Sequence, residues 1–126
     1  MRPTDEALVS AARQAKEKAY APNSHFSVGA AVDGDDGKVY TGCNVENGSY
    51  GLTSCAERNA VFAAVAAGCR KIYSVAVVAD EDYTLPCGAC RQVLAEFSAE
   101  RIILTAKDGR YRVVKATELF PQPFSL

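Results

Sequence analysis

The sequence predicts a three-layer α/β/α domain built on a five-stranded mixed sheet, and three features carry that prediction. Strand-like and helix-like stretches alternate along most of the chain, which favours parallel pairing through crossover helices. Near the start, Asp33-Gly34-Asp35-Asp36-Gly37 separates two strand-like runs, as expected of a hairpin. The 126 residues, 48% of them hydrophobic, suit one core and a single domain over 1–126, with no repeat, low-complexity tract or linker.

The first element is an amphipathic helix from about Asp5 to Ala19, with Thr4 as N-cap and acids in its first turn. Strands Phe26 to Val32 and Lys38 to Asn44 form the hairpin. A largely buried helix, Ala56 to Ala67, is rich in alanine and stops at Gly68. The β-branched strand Ile72 to Ala79 leads through a solvated Asp80-Glu81-Asp82 loop to a helix from Cys87 to Phe97, entered through Pro86. Strand Ile102 to Ala106 turns at Asp108-Gly109 into strand Tyr111 to Lys115. Thr117 then caps a short last helix before Pro121 and Pro123.

The chemistry concentrates in two segments. Cys55-Ala56-Glu57 and Pro86-Cys87-Gly88-Ala89-Cys90 bring three thiols and a carboxylate to the entrances of two helices, which are expected to pack on one face of the sheet. This describes a catalytic zinc site, in which three protein ligands leave the fourth tetrahedral position to a water whose pKa falls to roughly 7. Cys87 and Cys90, separated by two residues at a helix start, reach one metal, and Cys55 supplies the third ligand. Both helix N-termini favour the thiolate form.

Three thiolates around a divalent zinc leave a negative centre, so a cation should offset them. Arg58, three residues after Cys55 on the same helical face, is the candidate donor to the sulfurs, and Arg91 is the weaker one. Glu57 lies two residues from Cys55, which in mid-helix would turn the side chains apart. The site therefore requires Cys55 at the first helical position, where Glu57 sits beside the metal and relays protons.

Two readings compete with this one. A structural zinc site wants a fourth protein ligand, for which Cys43 is possible and His25 less so. A redox Cys-x-x-Cys leaves Cys55 and Glu57 unexplained. Cys43 reads as a small buried residue and Cys69, after a helix-ending glycine, as an exposed thiol.

Cys-Ala-Glu followed by Pro-Cys-x-x-Cys resembles the zinc nucleoside deaminases, whose signature takes histidine or cysteine as first ligand. With cysteine in that slot, the chain is similar to the small homotetrameric cytidine deaminases. Tyr20-Ala21-Pro22, Phe26 to Ala31, Thr41 to Asn47, Cys55 to Arg58 and Pro86 to Val93 extend the resemblance over nearly the whole chain in order.

The resemblance implies a cytidine deaminase-like fold, one zinc per subunit on Cys55, Cys87 and Cys90, and Glu57 as proton shuttle. It implies that Phe26 stacks on the pyrimidine, that Asn44 and Glu46 bond the ribose hydroxyls, and that the backbone at Ala56 contacts the base. It implies further that Tyr50 and Phe124 reach into a neighbouring subunit's site. The implied reaction is hydrolytic deamination of cytidine and deoxycytidine to uridine and deoxyuridine, with release of ammonia, in pyrimidine salvage. Two features depart from the pattern: Asn23 stands where the family often has a second aromatic, and Phe124 lies so near the terminus that its order depends on docking.

Composition narrows the partners. A net charge of −1 with no basic stripe argues against nucleic acid, and so against a polynucleotide editor. A nucleoside-antibiotic deaminase of the blasticidin type is a nearer alternative, but Asn44 and Glu46 favour a ribose-bearing substrate. No apolar run approaches the roughly 18 residues of a membrane span and no secretory signal is evident, so a cytoplasmic protein is expected. Five cysteines in that compartment fit metal binding and free thiols. A domain this small suits oligomerisation as the means of completing its pocket.

Overall fold

The computed structural model describes residues 2–126, so Met1 of the expected domain lies outside the described residues. Its elements run α1 (Asp5–Lys16), β1 (Val28–Gly34), β2 (Val39–Cys43), a single 3-10 turn (Tyr50–Leu52), α2 (Ala56–Ala66), β3 (Ile72–Ala79), α3 (Gly88–Glu96), β4 (Arg101–Thr105), β5 (Tyr111–Lys115) and α4 (Ala116–Leu119). The sheet order is β2-β1-β3-β4-β5. β3 and β4 are parallel and the other neighbours antiparallel, which is the mixed five-stranded sheet expected.

Strand side chains alternate between the two faces, and the core divides accordingly. Ala31, Ala76, Val78 and Ile103 pack against Leu8, Val9 and Ala12 of α1. Ala30, Val32, Val75, Val77, Ile102 and Leu104 pack on the other side with Ala56, Ala60, Val61 and Ala64 of α2 and Leu94 of α3. The two helices that begin at the cysteines therefore share one layer.

Close backbone approach fixes the outer layers. A Cβ on Gly29 would lie 1.9 Å from Ala12 O, and one on Gly42 would lie 2.5 Å from Ala60 N and 2.6 Å from Ala56 O. Glycine at these positions lets α1 lie on β1 and lets α2 lie on β2, with its first turn over the strand.

Several boundaries differ from expectation for identifiable reasons. Thr4 caps α1, its Oγ1 accepting the Ala7 N–H at 3.1 Å, but the helix ends at Lys16 rather than Ala19. Residues 17–19 close tighter turns, and the Tyr20 N–H leaves to bond Asn44 O at 2.9 Å. β1 begins at Val28, not Phe26, because side chains take the place of ladder bonds there. Ser24 Oγ accepts the Phe26 N–H at 3.0 Å, and Asn44 Nδ2 donates to Phe26 O at 2.8 Å.

β4 starts one residue early, since Arg101 pairs with Lys115 across the ladder. α3 runs over Gly88–Glu96, with Cys87 and Phe97 as its caps. Thr117 does not cap α4; Lys115 occupies that position, because β5 leads directly into the helix and the Ala116 N–H bonds Glu100 O at 2.9 Å.

Cys69 is buried, not exposed. Gly68 takes φ 109, and the Cys69 N–H returns to Ala64 O at 3.0 Å, a helix ending that turns the next side chain inward onto the core. Cys43, expected to be buried, is half-buried on edge strand β2, its thiol 3.5 Å from Lys18 O.

Candidate active site

Both cysteine segments use the same local device. Cys55 is the N-cap of α2 at φ −74, ψ 156, and Cys87 is the N-cap of α3 at φ −70, ψ 172. Neither side chain caps its own helix, so both sulfurs are free for another partner. The expectation that Cys55 occupies the first helical position is thus corrected by one residue. The extended cap turns its sulfur off the helix end, and Glu57 falls in the first turn behind it.

The Sγ atoms of Cys55, Cys87 and Cys90 lie within 4.8 Å of one another. Cys55 and Cys87 are 3.8 Å apart, Cys87 and Cys90 3.5 Å. None is in a disulfide. Three sulfurs bound to one tetrahedral ion at about 2.3 Å require mutual separations in this range, so the residues present fit zinc.

Charge in the cluster is already poised for a metal. Cys55 is held down to about 5, first by a hydrogen bond from the Cys90 thiol, then by bonds from Arg58 and Cys87. Cys90 is pushed strongly upward by that same hydrogen bond and by burial, so the proton the pair shares stays on Cys90. A metal cation displaces such protons when it binds.

Arg58 Nη2 donates to Cys55 Sγ at 3.4 Å, as expected, and its Nε is buried without a hydrogen-bond partner among the described residues. Arg91 makes no hydrogen bond to the sulfurs among the described residues. Its Nε donates to Pro86 O and its Nη1 to Leu119 O, each at 2.9 Å, so it braces the ligand turn against α4.

Glu57 is 5% exposed in the first turn of α2. Burial pushes its carboxyl up to about 7, with the Cys55 thiolate adding to the shift and its own backbone N–H and Arg58 opposing it. A carboxyl that titrates near neutrality can both accept and return a proton.

Phe26, Asn44 and Glu46 form a second group at the ends of β1 and β2. Asn44 Oδ1 accepts the Val28 N–H at 2.9 Å while its amide nitrogen holds Phe26 O. Glu46 Oε1 accepts from the backbone of Asn23 at 2.8 Å and of Ser24 at 3.2 Å, and Oε2 accepts the Ser24 hydroxyl. That hydroxyl is the main cause of the lowered Glu46 pKa.

The two groups are physically joined. Val45 and Ser54 exchange backbone bonds at 2.9 and 3.0 Å, tying the chain beyond β2 to the residue before Cys55. Asn59 Oδ1 accepts from the Ser54 hydroxyl at 2.7 Å, and its Nδ2 donates to Cys43 O at 2.8 Å. Sequence reasoning missed Asn59; its place one turn after Cys55 on the helix was the available signal.

Ala56 has its side chain in the core, at 0% exposure. Tyr50 and Phe124 are 77% and 71% exposed. The terminus is docked nonetheless: Gln92 Nε2 donates to Phe124 O and Gln92 Oε1 accepts the Phe124 N–H, both at 3.1 Å. Neither Cys43 nor His25, the candidates for a fourth protein ligand, is part of the sulfur cluster. A cavity of about 540 Å³ lined by Leu94, Ile102, Ala116, Phe120 and Pro123 includes none of the three cysteines.

Residues 2–106 match the family model described as the cytidine and deoxycytidylate deaminase zinc-binding region. A cytidine deaminase of Sporosarcina psychrophila is 46% identical over 123 residues, covering 95% of this chain and 90% of the relative. The crystal structure of cytidine deaminase from Burkholderia pseudomallei aligns with TM-score 0.90 and 51% identity, over 97% of this chain and 100% of that one. That of the Mycobacterium tuberculosis enzyme aligns with TM-score 0.84 and 41% identity, over 98% and 100%.

Fold and cluster together define the class: an α/β/α domain built around three cysteine sulfurs that could hold a zinc ion. The chain belongs to the cytidine and deoxycytidylate deaminase zinc-binding family. No helix among the described residues is long and apolar enough to cross a membrane.

Proposed function

We propose that this single-domain chain is a zinc-dependent cytidine deaminase that hydrolyses cytidine and deoxycytidine to uridine and deoxyuridine, releasing ammonia, in pyrimidine salvage. The observation that carries this reading is the three-sulfur cluster at two helix N-termini with the buried Glu57 carboxyl in the first turn beside it. The relatives named as cytidine deaminases support the choice of substrate.

One zinc per subunit, held by Cys55, Cys87 and Cys90, supplies Lewis acidity that brings the pKa of a water toward about 7. Glu57 moves the protons. It takes one from the attacking water and delivers it to N3 of the pyrimidine, then relays the remaining hydroxyl proton to the departing amino group at C4. Arg58 offsets thiolate charge, Phe26 stacks on the base, and the Ala56 N–H at the α2 terminus meets the base. Asn44 and Glu46 receive the ribose.

Tyr50 and Phe124 serve a neighbouring subunit in a homotetramer. Support comes from their exposure together with that of Leu52 and Phe62, which gives this small subunit apolar surface to cover. The free cysteines suit the reducing cytoplasm.

The test is ammonia release from cytidine by the zinc-loaded protein, with adenosine, blasticidin S and a cytosine-containing oligonucleotide alongside. Turnover of cytidine and not of the other three is expected. Silence on cytidine with zinc bound would contradict the proposal, and release from another compound would name its replacement.

A further inference from the structure

The reading of the site as a nucleoside pocket, on which this inference rests, gives no role to Ser24. Yet Ser24 links the carboxylate of Glu46 to the main chain of Phe26 on its amide side. Its hydroxyl hydrogen goes to Glu46 Oε2, and its oxygen accepts the Phe26 N–H at 3.0 Å. On the other side, Phe26 O is held by Asn44 Nδ2 at 2.8 Å. Phe26 is thus suspended between the two residues assigned to the sugar, one directly and one through Ser24.

The intervening His25 has φ 57, a left-handed conformation that a non-glycine residue keeps only where its surroundings over-determine it. The constraint is visible. Glu46 gathers three donors from Asn23 and Ser24, and the His25 N–H is tied to Ala21 O at 3.0 Å.

Counting bonding capacity shows what is left for a ligand. A carboxylate has about four acceptor positions, of which three are filled, leaving one on Oε2 beside the Ser24 hydroxyl. Asn44 retains one N–H and one acceptor position after its bonds to Phe26 and Val28. A sugar hydroxyl entering here shares Glu46 with Ser24. Ser24 uses one oxygen for both bonds, so a shift of its hydroxyl at Glu46 bears on its hold on the Phe26 N–H.

The geometry points to Ser24 as a positioning residue that couples sugar recognition by Glu46 to base stacking by Phe26, so that ribose and pyrimidine are read as one unit. Ser24 touches neither reacting atoms nor the metal. Its effect is on affinity, not on the chemical step.

The experiment compares Ser24→Ala and Ser24→Thr with the unchanged full-length, zinc-loaded protein. In the ligand-free state, amide exchange by NMR should show Phe26 losing several-fold protection in Ser24→Ala and keeping it in Ser24→Thr, which retains the hydroxyl. With cytidine as substrate, Ser24→Ala should raise KM on the order of tenfold, the scale of one hydrogen bond to a charged group, with kcat within about twofold. Ser24→Thr should restore KM.

Unchanged KM in Ser24→Ala, with or without a fall in melting temperature, would make Ser24 merely structural and overturn the assignment while leaving the cytidine reading intact. Unchanged protection at Phe26 would overturn it independently of any activity. An unchanged protein inactive on cytidine would count against the nucleoside reading, and the amide measurement would then decide the role of Ser24 alone.

Discussion

Arg58 donates from Nη2 to Cys55 Sγ across 3.4 Å, one turn into the helix that Cys55 caps, and keeps a buried Nε with no partner among the described residues. A guanidinium with a spare donor beside three sulfurs is placed to stabilise their negative charge. Arg58→Gln is expected to lose about ten- to a hundredfold in zinc affinity or kcat/KM, the usual cost of removing a group that supports metal ligands. Competition against a chromogenic chelator, beside steady-state kinetics, checks both. Wild-type values in the two assays would exclude this role.

Gly42 allows α2 to lie on β2, and so sets where Cys55 and Glu57 stand relative to Asn44. A methyl group there would sit 2.5 Å from the Ala60 nitrogen, and backbone rather than a flexible side chain is in the way. Gly42→Ala should destabilise the fold by about 1–3 kcal/mol, the range for overpacking, and lower zinc retention as the helix moves. Gly29→Ala, at 1.9 Å from Ala12 O, should be the more damaging of the two. Urea unfolding with metal analysis reads both effects.

Gln92 grips Phe124 by both backbone groups. Removing the carboxamide in Gln92→Ala should free the terminus, raising amide exchange at Phe124 while costing about 1 kcal/mol or less of global stability. On the proposed role of Phe124 in a neighbouring site, KM for cytidine should rise as well. A rise in exchange without any change in KM would separate the docking of the tail from a part in catalysis.

Asp5 and Arg101 form a two-pronged pair at 2.8 Å, linking the first turn of α1 to β4. The hydrogen bond and charge of Arg101 hold the Asp5 carboxyl below its ordinary value. A depressed carboxyl stabilises the fold above its unfolded pKa of about 3.9, and that contribution fades as pH falls through the lower folded value. Both side chains are partly exposed, at 24% and 38%, so screening keeps the gain to about 1 kcal/mol. Asp5→Asn should therefore unfold more easily at pH 7 and converge with the unchanged protein in strong acid. A constant difference across that range would rule the linkage out.

Much of this architecture was legible because local signals agreed with one another. The hairpin announced itself through its turn residues, and β3 and β5 matched their expected limits because each is bounded by turn or helix signals. The gathering of the three sulfurs was legible from spacing, since helix entry fixes where those side chains point.

What stayed hidden depends on contacts that sequence spacing does not encode. The late start of β1 follows from Ser24 and Asn44 replacing ladder bonds at Phe26. The burial of Cys69 follows from the left-handed Gly68, which reverses the direction suggested by an exposed helix end. Arg91, adjacent to Cys90 in sequence, points instead to the carbonyl oxygens of Pro86 and of Leu119 in α4.

The most direct measurement is turnover of cytidine by Glu57→Gln beside the unchanged protein, with zinc content determined on both. The account predicts a folded variant with one zinc per subunit and a loss of about a hundredfold to ten-thousandfold in kcat, the range for removing a general acid–base group. Retention of most of the turnover by a zinc-loaded Glu57→Gln would contradict the central claim that this buried carboxyl carries the protons.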